Sequence, residues 1–178
     1  AELWKSDGTA AGTVLVRDIL EGPADSSPRN LVPFAGAVYF RSGADGATWK
    51  SDGTESGTVL VHAFPGDGPL VPAAGRLFSF DGPRLWASDG TAPGTLLLRD
   101  FGTSIQVYTS VPIPGALLFW IERGGGVVEL WRSDGTVDGT ALVKSVELGD
   151  AAATPRRGVA AGGLALFPVV NSPTPLWR

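Results

Sequence analysis

Short apolar runs, each bounded by Gly or Pro, divide this chain into many brief segments. The pattern is clearest at residues 31–34, 38–41, 48–50 and 59–64, which are separated by links containing Gly. Runs of this length, rich in β-branched and aromatic residues and closed by turn formers, are typical of β-strands. The pattern therefore predicts an all-β fold in which these four runs form one four-stranded unit.

The same unit recurs along the chain. Its third strand and the following link read LWKSDGTAAGTVLV from Leu3, with close relatives from Thr48, Leu85 and Leu130. The second strand follows what we call the signature glycine, which is Gly36, Gly75, Gly115 or Gly163. The motif tryptophans recur at intervals of roughly 37 to 46 residues, a period that suits propeller blades. These tryptophans are Trp4, Trp49, Trp86 and Trp131, and a fifth copy begins around Trp177.

The fourth strand of each unit carries an apolar triplet without alternation, at 14–16, 59–61, 96–98 and 141–143. A sheet with one face in water would place a polar residue at every second position. Both faces of these strands are therefore expected to be covered by neighbouring sheets. We predict a β-propeller of four-stranded antiparallel blades, with four blades in all or as a four-repeat piece of a larger propeller.

The repeat boundaries predict a single repeat domain over residues 1–178, with complete blades at 30–65, 66–101 and 102–149. Residues 1–23 supply the third and fourth strands of a further blade. Residues 150–178 supply its first and second strands and the start of another repeat. We expect the two halves to complete one blade within the chain; the alternative is self-association through the incomplete terminal blade.

Composition and charge narrow the choice of partners. The net charge of −4 and the pI near 4.9 give no basic surface for nucleic acid. No apolar run reaches the ~18 residues of a membrane span. The chain has no Cys, which excludes disulfides, thiolate metal sites and Cys nucleophiles.

The SDGTxxGT link after the third strand has a local explanation. Its Asp can hydrogen-bond the adjacent backbone, and the Gly that follows can take a positive φ. One repeated acid per link is too few oxygens for a calcium site, so we predict a structural role and neither metal nor cofactor. The acids are Asp7, Asp52, Asp89 and Asp134, and the glycines are Gly8, Gly53, Gly90 and Gly135.

Aromatic residues supply the first candidates for binding. We assign the motif tryptophans to packing between blades, because large aromatic side chains dominate core energetics; stacking on sugar rings is the alternative. Trp120 lies beside Phe119 and breaks the repeat pattern. It is the candidate ligand-facing aromatic, although local packing is the interpretation that we favour.

A basic residue follows the apolar triplet in every copy, namely Arg17, His62, Arg99 and Lys144. Together these residues predict either a positive ring that attracts an anion or separate surface ion pairs, for instance with Asp18 or Asp100. We favour surface pairs, because exposed ion pairs are common and individually weak.

Catalytic groups are scarce. The only His, His62, already has a place in the repeated basic position, so a Ser-His-Asp arrangement has little to build on. A glycosidase needs two facing carboxylates, and the candidates are Glu122, Glu129 and Glu147.

The segments Glu2-Leu-Trp-Lys-Ser-Asp-Gly-Thr9 and Glu129-Leu-Trp-Arg-Ser-Asp-Gly-Thr136 resemble the ELWxxDGT repeat of bacterial, largely secreted or surface-attached proteins. The resemblance covers essentially the whole chain, although Glu is replaced before Trp49 and Trp86. It implies a propeller-like repeat array with an extracellular or cell-envelope location, and it implies no reaction.

Taken together, these patterns predict a non-catalytic binding or architectural module of an extracellular or cell-surface bacterial protein, with a protein or glycan as its ligand. The first alternative is a carbohydrate-binding lectin. The second is a carboxylate-dependent glycoside hydrolase.

Overall fold

The structure, a computed structural model, describes residues 1–43, 45–61, 64–102, 105–124, 126–147 and 154–170. The regular secondary structure of these residues is β-strand throughout, and none of them forms a helix able to cross a membrane. The strands are β1 Leu3–Lys5, β2 Val14–Arg17, β3 Arg29–Phe34, β4 Ala37–Ser42, β5 Ala47–Ser51, β6 Val59–Val61, β7 Val71–Ala73, β8 Arg76–Asp81, β9 Arg84–Ser88, β10 Leu96–Asp100, β11 Gln106–Ile113, β12 Ala116–Glu122, β13 Val127–Ser133, β14 Ala141–Glu147, β15 Thr154–Pro155, β16 Val159–Ala161, β17 Leu164–Leu166 and β18 Val169–Val170.

The strands form three four-stranded sheets, with the orders β3-β4-β5-β6, β7-β8-β9-β10 and β11-β12-β13-β14. Two-stranded sheets pair β1 with β2, β15 with β18 and β16 with β17. Each larger sheet is a meander in which consecutive strands are neighbours. The predicted four-stranded antiparallel unit is therefore confirmed, with the first three strands of the best copy present as β3, β4 and β5. The fourth ends earlier than predicted, at Val61, and residues 62–63 lie outside the described residues.

The second and third strands of the repeat pair in the same register in the β3–β6 sheet and in the β11–β14 sheet. Phe40 lies opposite Trp49, and Phe119 lies opposite Trp131. Each Phe is the fourth residue after a signature glycine. The repeat signature and the motif tryptophan are thus cross-strand neighbours, which links two sequence motifs into one packing unit.

The chain divides into two compact units. The first comprises Ala1–Pro72, Leu77–Asp81 and Trp86–Leu96, and the second comprises Ala73–Arg76, Gly82–Leu85 and Leu97–Arg178. The sheet β7-β8-β9-β10 has residues in both units.

In the first unit, strand β4 is covered on both faces. Tyr39 packs in a cluster with Leu77, whereas Phe40 packs with Leu3 and Val16 of the β1–β2 hairpin. Adjacent residues of a strand point to opposite faces of the sheet. The β3–β6 sheet therefore has an apolar neighbour on each side at β4, as a stack of blades requires.

In the second unit, β12 is also covered on both faces. Phe119 and Trp131 both make edge-to-face contacts with Phe101, at centroid distances of 6.2 and 5.2 Å. Trp120 makes an edge-to-face contact of 6.0 Å with Phe167. Such aromatic pairs stabilise a core beyond the area that they bury, and here they fix both faces of one strand.

The fourth strands are less covered than the sequence predicts. Val59 and Leu60 are both more than a third exposed, and only Val61 of that triplet is buried. Strands β2 and β10 repeat this arrangement, and residues 141–143 of β14 are all exposed. The prediction of two covered faces is wrong for these strands. The reason is that a fourth strand lies at the outer edge of its sheet, where cover from neighbouring elements is incomplete.

Candidate functional site

Each SDGTxxGT link closes on itself through hydrogen bonds. In the first copy, Asp7 Oδ1 accepts from the backbone N of Thr9 at 2.9 Å and from its Oγ1 at 2.8 Å. The same Thr9 Oγ1 accepts from the backbone N of Gly12 at 3.0 Å, and the backbone N of Gly8 donates to Ser6 Oγ at 3.0 Å. Gly8 has a φ of 92°, which is the positive φ predicted for this position.

A second threonine completes the network. Thr13 Oγ1 donates its proton to the carbonyl oxygen of Thr9 at 2.7 Å. Its remaining contact with Ser6 Oγ, at 2.7 Å, therefore has Ser6 as the donor. The links containing Asp52, Asp89 and Asp134 repeat the aspartate bonds, with 2.9–3.0 Å to the backbone N and 2.7 Å to the hydroxyl of the threonine.

The repeated aspartates are committed to these local bonds. Hydrogen bonds from the neighbouring threonine lower the pKa of Asp7, Asp52 and Asp134 below its usual value. The carboxylate of Asp7 also lies over the Cα of Gly12, where any Cβ would overlap it. The second glycine of the motif is thus required by a close approach. Among the described residues, no group of three or more His, Asp or Glu side chains is arranged to hold a metal ion.

The repeated basic residues contact motif tryptophans of the following repeat. The Arg17 guanidinium lies 5.8 Å from the ring centroid of Trp49, and that of Arg99 lies 4.4 Å from the ring centroid of Trp131. Arg17 also donates to the carbonyl oxygen of Thr58 at 2.7 Å. These cation–π contacts join consecutive repeats within each unit.

The ion pairs suggested for these cations are not formed by Arg17 and Arg99. Asp100 instead accepts from Arg84 Nε at 3.0 Å, and Asp18 is exposed. The surface-pair interpretation is wrong for the two arginines, because an aromatic face lies within their reach. Lys144 is exposed on β14, and His62 lies outside the described residues.

Burial differs widely among the motif tryptophans. Trp131 is only 3% exposed, whereas Trp4 is 59% exposed; Trp49 and Trp86 are intermediate. The core assignment holds for Trp131 and is wrong for Trp4, because no described side chain covers Trp4 as Arg17 covers Trp49. Trp177 lies outside the described residues.

Exposed Trp4 lies in a pocket of about 390 Å³ in the first unit. Leu31, Pro33 and Val38 supply part of its apolar lining, and Lys5 and Asp52 supply charged groups. Lys5 Nζ donates to the carbonyl oxygen of Gly53 at 2.8 Å. The pocket thus combines an accessible aromatic ring with a cation and an ionised carboxylate.

Sequence reasoning missed Arg41, which is 0% exposed. Its Nε donates to the carbonyl oxygen of Gly68 at 3.0 Å and its Nη2 to Ser79 Oγ at 2.9 Å. Its Nη1 donates to the carbonyl oxygen of Gly46 at 3.2 Å and to Thr48 Oγ1 at 2.7 Å. Burial lowers the pKa of Arg41, and these four acceptors compensate for the lost hydration.

Trp120 occupies the same place in its repeat as Arg41. Each is the fifth residue after its signature glycine, which we call the fifth position. Trp120 is 2% exposed, and its buried indole Nε1 has no hydrogen-bond acceptor among the described residues. Their contacts correspond as well. Arg41 contacts Ser79 and Trp120 contacts Phe167. Each of these partners is the fourth residue after the next signature glycine. Counting from these glycines is the signal that identifies the pair.

The Trp120 ring lines a pocket of about 720 Å³ in the second unit. Its walls are mainly apolar, and the exposed Arg157 also lines it. Trp120 is therefore not the open platform that a ligand-facing aromatic requires, although it borders an open space.

The candidate catalytic glutamates lie on two faces of the β11–β14 sheet, with Glu129 and Glu147 on the same face. Glu122 accepts a short hydrogen bond from the Tyr108 hydroxyl; burial, and then this bond, raise the pKa of Tyr108 to about 12. Glu129 lies opposite Ile121 in the strand pair, so it shares the face of Ile121. Glu122 and Glu129 thus point to opposite faces of the sheet.

Glu129 also has polar partners. It accepts from Trp131 Nε1 at 2.8 Å and forms an ion pair with Arg123 Nε at 3.2 Å. Glu147 is exposed on the outer strand, opposite Val127. The facing pair of Glu122 and Glu129 that a glycosidase would need is absent from this part of the structure.

Neither a scan against protein-family models nor a search of curated proteins finds a match for this chain. The geometry defines the class of protein, an all-β repeat protein with four-stranded antiparallel sheets. The resemblance to the ELWxxDGT repeat stays a prediction that rests on the motifs.

Proposed function

We propose that the chain is a non-catalytic binding or architectural module, built as a four-bladed β-propeller or as part of a larger one. The observation that carries this proposal is the repeated contact between neighbouring repeats. Arg17 reaches Trp49 and Arg99 reaches Trp131, each from a fourth strand to the motif tryptophan that follows. A contact that recurs between two separate pairs of consecutive repeats supports radial stacking of blades.

The polar groups of the repeat favour a structural role over a catalytic one. The repeated carboxylates accept hydrogen bonds within their own links, and Glu122 and Glu129 are occupied by Tyr108 and Arg123. The ELWxxDGT resemblance supports an extracellular or cell-surface location in a bacterium. The partner is then a protein or a glycan bound to the repeat surface.

We further propose that the repeats close into one ring, which the register of strand pairing makes testable. Phe40 pairs with Trp49 and Tyr39 with Lys50. The corresponding pairs between the terminal repeats are Phe167 with Trp4 and Leu166 with Lys5. In a closed ring, these residues are cross-strand neighbours.

A disulfide test uses the absence of Cys from the chain. The double variant Lys5→Cys, Leu166→Cys should form a disulfide within one chain, because cross-strand Cβ atoms lie within bonding range. The control pairs Lys5→Cys with Leu164→Cys, two residues out of register. Mass and mobility without reductant distinguish the outcomes. A disulfide-linked dimer, or equal bonding in the control, would contradict closure within one chain.

The second candidate is a carbohydrate-binding lectin, and the exposure of Trp4 favours it. An accessible indole can stack on the apolar face of a sugar ring. Lys5 and Asp52 line the same pocket and offer a donor and an acceptor for sugar hydroxyls. This site differs from the Trp120 site that the sequence indicated.

The lectin and the closed ring predict different environments for Trp4. In a closed ring, Lys144 is the repeat equivalent of the arginine that covers Trp49, so it would lie over Trp4. Acrylamide quenching of Trp fluorescence in the parent and in Trp4→Phe isolates the Trp4 signal. Strong quenching, with a glycan-array signal that Trp4→Ala removes and Trp4→Phe retains, supports the lectin. Weak quenching without glycan binding contradicts it.

A further inference from the structure

The Trp120 pocket differs from the equivalent place around Arg41. Arg41 is 0% exposed, and each nitrogen of its guanidinium donates at least one hydrogen bond. At Trp120 a pocket of about 720 Å³ remains, and a buried N–H has no acceptor among the described residues. A buried donor without an acceptor destabilises the protein, so a ligand acceptor that reaches this N–H would gain binding free energy.

The pocket has the size and composition of a small-molecule site. Ligand pockets commonly span roughly 300–1,000 Å³, with apolar walls and few polar groups. Leu118, Leu130, Val159 and Leu166 form much of the wall. Leu130 corresponds in the repeat to Thr48, which hydrogen-bonds Arg41. The apolar side chain of Leu130 at this position suits the pocket to an apolar guest.

The polar side chains that line the pocket are both hydrogen-bond donors. They are the indole of Trp120 and the guanidinium of Arg157. No ion pair or hydrogen bond of the Arg157 side chain occurs among the described residues. A complementary ligand must therefore bring acceptors and, because Arg157 is cationic, a negative charge.

We propose that the Trp120 pocket binds an apolar carboxylic acid in its ionised form. The hydrocarbon part packs on Leu118, Leu130 and Phe167. The carboxylate accepts hydrogen bonds from Arg157 and from Trp120 Nε1. This site is distinct from the lectin pocket at Trp4, although Leu166 and Phe167 of its lining would also take part in ring closure.

The Trp120 nitrogen is covered in the ligand-free protein, so binding includes a small shift of the β16–β17 sheet. That sheet has two strands only. Val159, Leu164 and Leu166 on it are all more than half exposed. A two-stranded sheet without further strand partners is marginally stable, so its displacement is inexpensive in a chain whose ring is not closed.

Calorimetric titration with decanoate, decanol and decylammonium tests the ligand class. We expect decanoate to bind, decanol to bind at least about tenfold more weakly, and decylammonium to show no saturable binding, because one charged hydrogen bond is worth roughly tenfold or more. Equal binding of all three probes would show an unspecific apolar surface and overturn the proposal. Failure of decanoate to bind would also overturn it.

Two variants and two matched controls locate the site. Arg157→Gln and Trp120→Phe should each weaken decanoate binding about tenfold. Arg156→Gln changes the neighbouring exposed arginine, which does not line the pocket, and Trp86→Phe removes another buried Nε1 without an acceptor among the described residues. Both controls should leave binding unchanged. Circular dichroism confirms that each variant is folded, and unchanged affinity in folded Arg157→Gln and Trp120→Phe would place decanoate elsewhere.

Discussion

Arg41 and Trp120 hold the same position in two repeats, and their surroundings differ in almost every respect. Arg41 lies among carbonyl and hydroxyl oxygens, with Ser79 as its partner in the next repeat. Trp120 lies among apolar side chains, with Phe167 in the place of Ser79. The polar copy is closed and satisfied, whereas the apolar copy is open and keeps an unpaired donor.

The comparison separates what the repeat determines from what individual residues determine. The repeat fixes the direction in which the side chain at the fifth position points. Arg41 and Trp120 both contact the fourth residue after the next signature glycine. Whether that contact becomes a structural lock or a binding site depends on a few side chains around it. Function in a repeat fold therefore arises where one copy departs from the others.

The largest effect is expected for a motif tryptophan whose neighbours cover it. Trp131→Ala should lower the free energy of unfolding by about 3–5 kcal/mol, as truncation of a buried Trp does. Trp4→Ala, at the same repeat position, should cost less than about 1 kcal/mol, because its side chain is largely exposed. Urea denaturation measures both. Equal losses of unfolding free energy in the two variants would contradict the difference in burial between Trp131 and Trp4.

The second-largest loss of stability is expected at Arg41, whose hydrogen bonds join two repeats. Arg41→Met keeps much of the side-chain length but removes four hydrogen bonds, so we expect a loss of about 3 kcal/mol. Arg29→Met is the control, because Arg29 donates one side-chain hydrogen bond, to the carbonyl oxygen of Gly43 at 3.1 Å, and should cost about 1 kcal/mol. If the two variants unfold at the same urea concentration, the Arg41 network does not lock the fold.

Two glycines of the repeated link test a contact between repeats. Gly53 and Gly90 have φ values of 88° and 95°, so alanine is strained at both, by about 1–2 kcal/mol. Only at Gly90 would the new Cβ also overlap the Tyr39 hydroxyl. Gly90→Ala should therefore be the more destabilising, and Tyr39→Phe should recover part of the difference. A larger loss for Gly53→Ala would contradict this packing.

The smallest effect is the loss of stability at acidic pH, and it should be the same in the two units. The lowered pKa values of Asp52 and Asp134 lie below those of the unfolded chain. The ionised carboxylates therefore stabilise the fold above about pH 4, and this contribution is lost as the pH falls through the lowered pKa. Asp52→Asn and Asp134→Asn should each flatten the fall in melting temperature between pH 6 and pH 3 by a similar amount. A flattening in one variant alone would show that the links are not equivalent.

Much of the fold was predictable, because its signals are local. Gly36 and the apolar residues after it mark β4, and the SDGTxxGT letters correspond to hydrogen bonds made within a few residues. The exposure of Trp4 was not predictable, since it depends on whether a preceding repeat supplies a cation. The partial exposure of Val59 and Leu60 depends in the same way on neighbouring elements.

The candidate site was predictable only in part. Trp120 stands out in the sequence as a break in the repeat, but its burial and its unpaired Nε1 follow from the packing of Phe167. Arg41 carries no local sign of burial, because two of its four acceptors, Gly68 and Ser79, come from distant parts of the chain. The role of Arg17 likewise depends on Trp49, which lies in the next repeat.

The difference between the two fifth positions is tested most directly by the indole N–H resonances of ¹⁵N-labelled protein, with Trp120→Phe used to assign the Trp120 signal. We predict that this signal lies upfield in the free protein, as expected for an unbonded N–H, and moves downfield when decanoate is added. The other indole signals should not move. A Trp120 signal that is already downfield, or that stays in place at saturating decanoate, would contradict the account.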